Sequence, residues 1–120
     1  MQQLLLIAAG GSLGAIARYG LSTYVLGMMN DVFPWGTLLV NLSGAFFIGV
    51  FVELFDAAIV PSHLRSFITI GFLGAYTTFS TFSLETINLF RDGEIRLATI
   101  NVLASYVLSI ALVAAGIYAS

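Results

Sequence analysis

Long apolar stretches separated by short polar connections run through the whole chain. Four of them, at about residues 3–27, 37–55, 64–90 and 95–119, are long enough to cross a bilayer, because roughly 20 apolar residues span the hydrocarbon core as a helix. The connections carry turn-forming residues, including Asn30-Asp31, Pro34 and Gly93. The pattern predicts an all-α membrane protein in which residues 1–120 form a single domain of four transmembrane helices.

One segment of the third stretch departs from this aliphatic pattern. Residues 71–86 read GFLGAYTTFSTFSLET, with hydroxyl, aromatic and small side chains concentrated between Gly74 and Ser83. Irregular backbone at membrane depth survives only where it is buried in protein or lines a wet cavity. We therefore expect the third helix to be broken in mid-membrane near residues 74–79, beside a site for something polar or charged. The alternative is a packing face of small residues with hydroxyls bonded to the preceding turn, and the stretch alone favours neither.

A break would expose helix ends inside the membrane. Carbonyl groups at the end of the first half attract a cation, whereas amide and hydroxyl groups at the start of the second half attract an anion. Phe79 and Phe82 lie three residues apart and share a helical face. Because an aromatic ring is positive at its edge, two rings presented edge-on would stabilise a dehydrated anion. The alternative is that both rings face lipid or the protein core.

Two other spans contain polar residues that suit a site. Asn41 in the second span offers two amide donors, which suit an anion. Standing alone, it would more simply be an interhelical clamp to a backbone carbonyl. In the fourth span Asn101, Ser105 and Ser109 recur every fourth residue. This polar stripe predicts either one wall of a narrow pathway or a packing seam.

The first span combines a smooth face with a charge. Gly10 and Gly14 form a GxxxG pair, which is suited to close helix contact. Arg18 is costly inside a bilayer, so we expect it to point at a cavity, a vestibule or an interface, or to reach back to the membrane surface.

Composition and charge exclude several classes of protein. The chain has 59% hydrophobic and 8% charged residues, and its mean hydropathy of +1.02 excludes a soluble domain. A net charge of -2 argues against nucleic acid as a partner, and the lack of cysteine excludes thiol chemistry. Arg65 lies in one connection and Arg91 and Arg96 flank the next, on the opposite membrane side, so the positive-inside rule gives no preferred orientation. We expect an antiparallel homodimer.

Three motifs carry a family resemblance: GGSLGAIARY at residues 10–19, GTLLVNLSGAFFIG at residues 36–49 and GFLGAYTTFSTFS at residues 71–83. With the four spans, they make essentially the whole chain resemble the Fluc, or CrcB, family of fluoride channels. The resemblance implies a multi-pass protein of a prokaryotic plasma or inner membrane that exports fluoride passively from the cytoplasm. It also implies an antiparallel dual-topology homodimer with two fluoride pathways.

The same resemblance implies roles for particular residues. The fluoride pathway would be lined by an asparagine, a phenylalanine pair contributed by both subunits and a track of hydroxyls, which are here Asn41, Phe79, Phe82, Ser80, Thr81, Ser105 and Ser109. Arg18 would lie toward a vestibule or the dimer interface. The backbone carbonyls of Gly74 and Thr77, with their symmetry mates, would hold a central structural sodium ion.

Three other functions compete with this one. A dual-topology multidrug transporter is similar in size, but it needs an ionisable carboxylate in the bundle, for which Glu85 is the best candidate. A non-transporting assembly subunit explains the small-residue faces but not Asn41, the unusual third span and the polar stripe together. An enzyme is least favoured, because His63 is the single histidine and no nucleophile and base sit at usable spacing.

Overall fold

The fold consists of helices joined by short connections. The computed structural model describes residues 1–29 and 32–119, except for the side chain of residue 62. In chain order the helices are α1 (Gln2–Met29), α2 (Trp35–Asp56), a 3₁₀ turn (Ser62–Leu64), a π-helix (Ser66–Leu73), α3 (Gly74–Tyr76), α4 (Phe79–Arg91) and α5 (Ile95–Ala119). The expected turn residues Asn30 and Asp31 lie outside the described residues.

Four spans in the described part are long and apolar enough to cross a membrane, namely Gln2–Met29, Trp35–Asp56, Ser66–Arg91 and Ile95–Ala119. The chain is therefore an all-helical multi-pass membrane protein, as the hydropathy pattern predicts. The third span is assembled from the π-helix, α3 and α4. Thr77 (ψ 155°) and Thr78 (φ -148°, ψ 116°) between α3 and α4 have extended backbone.

Glycines let α1 lie directly on the backbone of the third span. A Cβ atom at Gly10 would overlap the carbonyl oxygen of Phe67, and one at Gly14 would overlap that of Phe72. From the opposite side, a Cβ atom at Gly71 would lie 3.1 Å from the Cα atom of Gly10, so the two backbones are in close contact. The close contact predicted from the GxxxG pair is confirmed, and its partner is the π-helical part of the third span.

The second and fourth spans pack through a reciprocal pair of glycines. A Cβ at Gly49 would overlap the carbonyl oxygen of Val113, and one at Gly116 would overlap that of Phe46. These two helices therefore touch backbone to backbone, and α1 also contacts α2. The four spans thus form two close pairs held side by side.

A cluster of buried apolar residues lies beside the two extended residues of the third span. Val40 of α2, Leu73 of the π-helix and Tyr76 of α3 form one buried cluster, against which α1 also packs. Packing of this kind restricts side-chain and backbone freedom. The two extended residues therefore follow directly on this buried cluster at the end of α3.

Left-handed residues end two of the helices. Ala58 (φ 59°) follows α2 and Gly93 (φ 80°) follows α4. In each case this residue and the next donate hydrogen bonds to carbonyls of the last helical turn, which is a Schellman motif. Glycine adopts this conformation without strain, whereas the Cβ of Ala58 is strained there.

Candidate functional site

Helix α2 holds the two extended residues of the third span. Nδ2 of Asn41 donates to the carbonyl oxygen of Thr78 at 3.0 Å, and Oδ1 of Asn41 accepts from the Thr78 amide at 2.8 Å. Gly44 lies against Thr77, where a Cβ would overlap the Thr77 methyl group. Helix α4 then begins with Thr78 as its N-cap, because the Thr78 hydroxyl accepts from the Thr81 amide at 3.2 Å.

The extended backbone at Thr77 and Thr78, called the interruption below, leaves backbone carbonyl groups without their helical donors. In an uninterrupted α-helix the amide of Thr78 would bond the carbonyl of Gly74, and the amide of Thr81 would bond that of Thr77. Here both amides bond side-chain oxygens instead, of Asn41 and of Thr78. The carbonyl oxygens of Gly74 and Thr77 therefore retain lone pairs that can accept another ligand.

A cavity of about 390 Å³ lies between α2, the third span and α5. Most residues that the sequence assigns to the site line it, namely Asn41, Gly74, Thr77, Phe79, Phe82, Ser105 and Ser109. Phe82 is 7% exposed and Phe79 is 68% exposed, with ring centroids 5.7 Å apart. The cavity wall thus runs from a buried aromatic ring to one at the molecular surface.

Two serines of α5 line this cavity. Ser109 lines the wall, and so does Ser105, whose Oγ is buried and has no hydrogen-bond partner within residues 1–29 and 32–119. A buried hydroxyl without a partner costs about 1–3 kcal/mol. A ligand that accepted a hydrogen bond from the Ser105 O–H group would remove this cost.

Asn101 departs from the predicted polar stripe. Its side chain is 1% exposed, and its Nδ2 donates to the hydroxyl of Thr86 at 3.0 Å. The Thr86 hydroxyl in turn donates to the carbonyl oxygen of Phe82 at 2.8 Å. Asn101 therefore joins α5 to α4, whereas Ser105 and Ser109 face the cavity.

A second cavity of about 100 Å³ shares Thr78 with the first and is lined by Arg18, Thr81 and Glu85 among others. Arg18 is half-buried, and its Nε donates to the carbonyl oxygen of Ala75 at 3.4 Å. A cation is favourable beside the carbonyl end of a helical segment. The structure thus places Thr81 with Arg18 rather than with Ser105 and Ser109.

Ser80 lies apart from both groups. It is exposed on α4 and lines neither the 390 Å³ cavity nor the 100 Å³ cavity. Its hydroxyl is therefore not brought together with the other candidate site residues within one subunit.

Two residues at the site, Thr78 and Tyr106, were not assigned to it from the sequence, and a third, Glu85, was named as the carboxylate of a competing transporter. Thr78 supplies both the N-cap of α4 and the backbone that Asn41 binds. Tyr106 lines the 390 Å³ cavity, with its ring perpendicular to that of Phe82 at 6.0 Å between centroids. Glu85 has a buried Oε1 with no hydrogen-bond partner in the described part of the chain. Of Thr78 and Tyr106, only Thr78 carried a signal, because it lies inside the TTFSTF segment.

Comparisons with known proteins agree over most of the chain. A family model described as CrcB-like protein, Camphor Resistance (CrcB), matches residues 5–117. A Dehalococcoides mccartyi protein named Fluoride-specific ion channel FluC is 44% identical over 119 residues, covering 98% of this chain and 92% of that protein. Proteins of the same name from Citrifermentans bemidjiense and Rhizobium johnstonii are 52% identical over 108 residues and 47% identical over 121 residues. They cover 89% and 98% of this chain, and 87% and 94% of their own length. The chain belongs to the CrcB-like protein family.

Proposed function

We propose that this protein is a fluoride-selective passive anion channel that lets fluoride leave the cytoplasm through a prokaryotic plasma or inner membrane. One observation carries the proposal: the 390 Å³ cavity brings Asn41, Phe82 and the unpartnered hydroxyl of Ser105 to one wall between spans. The relatives' printed name supports fluoride as the ion. Those relatives are ion channels, and the chain is not an enzyme.

The chemistry of these groups suits a small anion. Fluoride is strongly hydrated, so a pathway that admits it and rejects chloride has to replace its water with short, well-placed donors. Asn41 commits one amide N–H to Thr78 and keeps a second, Ser105 offers its hydroxyl, and Phe82 offers a ring edge. Fluoride that enters a cell as neutral HF and ionises inside then leaves down its gradient. No proton-coupling group is needed.

An antiparallel dual-topology homodimer completes the pathway. Phe79 is exposed at the edge of the cavity that contains the buried Phe82. In the dimer, Phe79 of one subunit closes the pathway of the other, so that each dimer has two pathways. The weak orientation bias of Arg65, Arg91 and Arg96 supports this arrangement.

The interruption at Thr77 and Thr78 lies near the middle of the membrane in this proposal, and it makes the third span a broken helix. The freed carbonyl oxygens of Gly74 and Thr77, with those of the second subunit, hold a structural sodium ion at the two-fold axis. Neutral carbonyl oxygens are ligands that a hard cation prefers. Bound there, sodium ties the two subunits together.

Anion efflux from liposomes tests the proposed function. The purified protein is reconstituted with internal potassium fluoride or potassium chloride, and valinomycin clamps the potential. We expect rapid fluoride efflux and no chloride efflux above that of protein-free liposomes. If neither ion leaves the liposomes, in protein shown to be a folded dimer, the channel proposal is overturned and proton-coupled cation export through Glu85 is favoured.

A further inference from the structure

A relay of hydroxyl groups ties the residue before the interruption to α2. The Tyr76 hydroxyl lies 2.8 Å from Oγ of Ser43, which donates to the carbonyl oxygen of Val40 at 3.0 Å. A serine hydroxyl has one proton, and Val40 receives it, so Tyr76 is the donor to Ser43. Tyr76 is 8% exposed, and water cannot readily replace this bond.

Helix α2 consequently contacts both sides of the interruption. Ser43 accepts from Tyr76 at the end of α3, and Asn41 bonds Thr78 just before α4. Between these two bonds, Gly44 lies against Thr77. Three nearby positions of one regular helix thus hold three consecutive residues of the third span.

The competing arrangement is a continuous helix through Thr77 and Thr78. It would recover the backbone bonds to the carbonyls of Gly74 and Thr77 that the extended residues give up. The extended arrangement persists because contacts with α2 offset that loss, and the bond from Tyr76 is one of them. Neither Tyr76 nor Ser43 lines the 390 Å³ cavity.

We infer that Tyr76 and Ser43 are positioning residues for the proposed ion site. Their hydrogen bond fixes the end of α3, and this keeps Thr77 and Thr78 extended and the carbonyls of Gly74 and Thr77 free. The effect on ion flux rests on the proposed channel function, whereas the effect on the backbone can be measured without it.

The direction of the relay gives three variants distinct outcomes. Ser43→Ala leaves the buried Tyr76 donor without an acceptor, which lowers the population of the extended arrangement about fivefold or more. Tyr76→Phe removes only one net hydrogen bond, because Ser43 still bonds Val40, and its effect is about threefold. The double variant has no orphaned donor, so it recovers from the Ser43→Ala level to within about twofold of Tyr76→Phe.

Two readouts are measured on each variant: fluoride efflux per reconstituted dimer, and amide hydrogen exchange of residues 77–81. Ser12→Ala and Tyr118→Phe are the matched controls. Among the described residues Ser12 bonds only its own helical turn, at Ala8, and Tyr118 is 87% exposed. Both controls are expected to match wild type in efflux and exchange.

Slower exchange within residues 77–81, because the amides of Phe79 and Ser80 gain helical acceptors in the continuous helix, together with slower efflux in Ser43→Ala and recovery in the double variant, is the expected result. Wild-type exchange and efflux in Ser43→Ala, or a double variant no better than Ser43→Ala, would overturn the inference. Should Ser43→Ala fail to fold, unchanged exchange in Tyr76→Phe overturns it equally. If wild type carries no fluoride but exchange follows the predicted order, the channel proposal fails and the positioning role stands.

Discussion

Asn41 binds the backbone of Thr78 with both ends of its side-chain amide, donating to the carbonyl oxygen at 3.0 Å and accepting from the amide at 2.8 Å. The side chain acts like a neighbouring peptide group and satisfies a residue that has left the helix. The clamp uses one N–H of the Asn41 side-chain amide and leaves the second N–H for another acceptor. The two interpretations that the sequence left open, an interhelical clamp and an anion ligand, are therefore compatible in one residue.

Replacing Asn41 by aspartate tests both parts of this role. Asn41→Asp keeps an acceptor for the Thr78 amide but places a carboxylate beside the Thr78 carbonyl oxygen and in the proposed anion pathway. We expect fluoride efflux from liposomes to fall to the level of protein-free liposomes. Circular dichroism and gel filtration establish that the variant is a folded dimer. Undiminished efflux would remove Asn41 from the pathway.

Phe82→Ile tests the contribution of the buried ring. The substitution keeps an apolar side chain but removes the ring whose positive edge is proposed to face fluoride, so we expect the protein to fold and fluoride conduction to be lost. Phe55→Ile is the matched control, because Phe55 is equally buried, at 7% exposure, and lies outside the 390 Å³ cavity. Efflux is measured for both variants. Wild-type efflux in Phe82→Ile would rule out stabilisation by the ring edge.

The polar stripe of α5 shows how much of the candidate site the residue spacing predicts. A step of four residues turns an α-helix by about 40° beyond a full turn, so Asn101 and Ser109 point about 80° apart. Ser105 and Ser109 face the cavity, whereas Asn101 turns toward Thr86 on α4. Spacing identifies one side of a helix, but the neighbouring helix decides which part of that side meets a cavity.

The third span shows the same limit. Adjacent helical residues point about 100° apart, and here Thr81 lines the 100 Å³ cavity whereas Ser80 is exposed and lines neither cavity. The close contact at Gly10 and Gly14 was predictable, because two glycines four residues apart favour close backbone approach. The π-helical pairing of Ser66–Leu73 was not, because hydropathy does not distinguish a π-helix from an α-helix.

Gly14→Ala should destabilise the fold. The added Cβ would overlap the Phe72 carbonyl oxygen, and backbone shifts of this kind typically cost about 1–3 kcal/mol. Gly20→Ala in the same helix is the control, because nothing lies within 4 Å of its Cβ position. Thermal unfolding in detergent measures both. We expect a lower midpoint for Gly14→Ala and an equal or higher one for Gly20→Ala, and equal midpoints would mean that α1 can move away from the third span.

Ala58→Gly should stabilise the protein. A left-handed conformation costs a residue with a Cβ roughly 1–2 kcal/mol, and glycine removes that cost while keeping the Schellman hydrogen bonds. Part of the gain is offset by the greater freedom of glycine in the unfolded chain, so we expect a net of about 1 kcal/mol. Ala57→Gly is the control, because Ala57 has φ -82° and carries no such strain. A lower melting midpoint for Ala58→Gly would show that Ala58 is not left-handed in solution.

Ser105→Ala should separate stability from function. The Ser105 hydroxyl is buried with no partner among the described residues, so its removal relieves an unsatisfied polar group and should raise stability by about 1 kcal/mol. If the same hydroxyl donates to fluoride, its loss removes a charge-assisted hydrogen bond and should slow fluoride efflux about tenfold. The melting midpoint and the efflux rate are measured on one preparation.

Ser12→Ala provides the comparison, because the Ser12 hydroxyl is exposed and bonded to Ala8 in its own helix at 2.9 Å. This variant should match wild type in efflux and gain no stability. A higher midpoint with slower efflux in Ser105→Ala alone identifies a hydroxyl that is kept for the ion at a cost to the fold. A midpoint and an efflux rate that fall together would instead make Ser105 part of the packing between α5 and its neighbours.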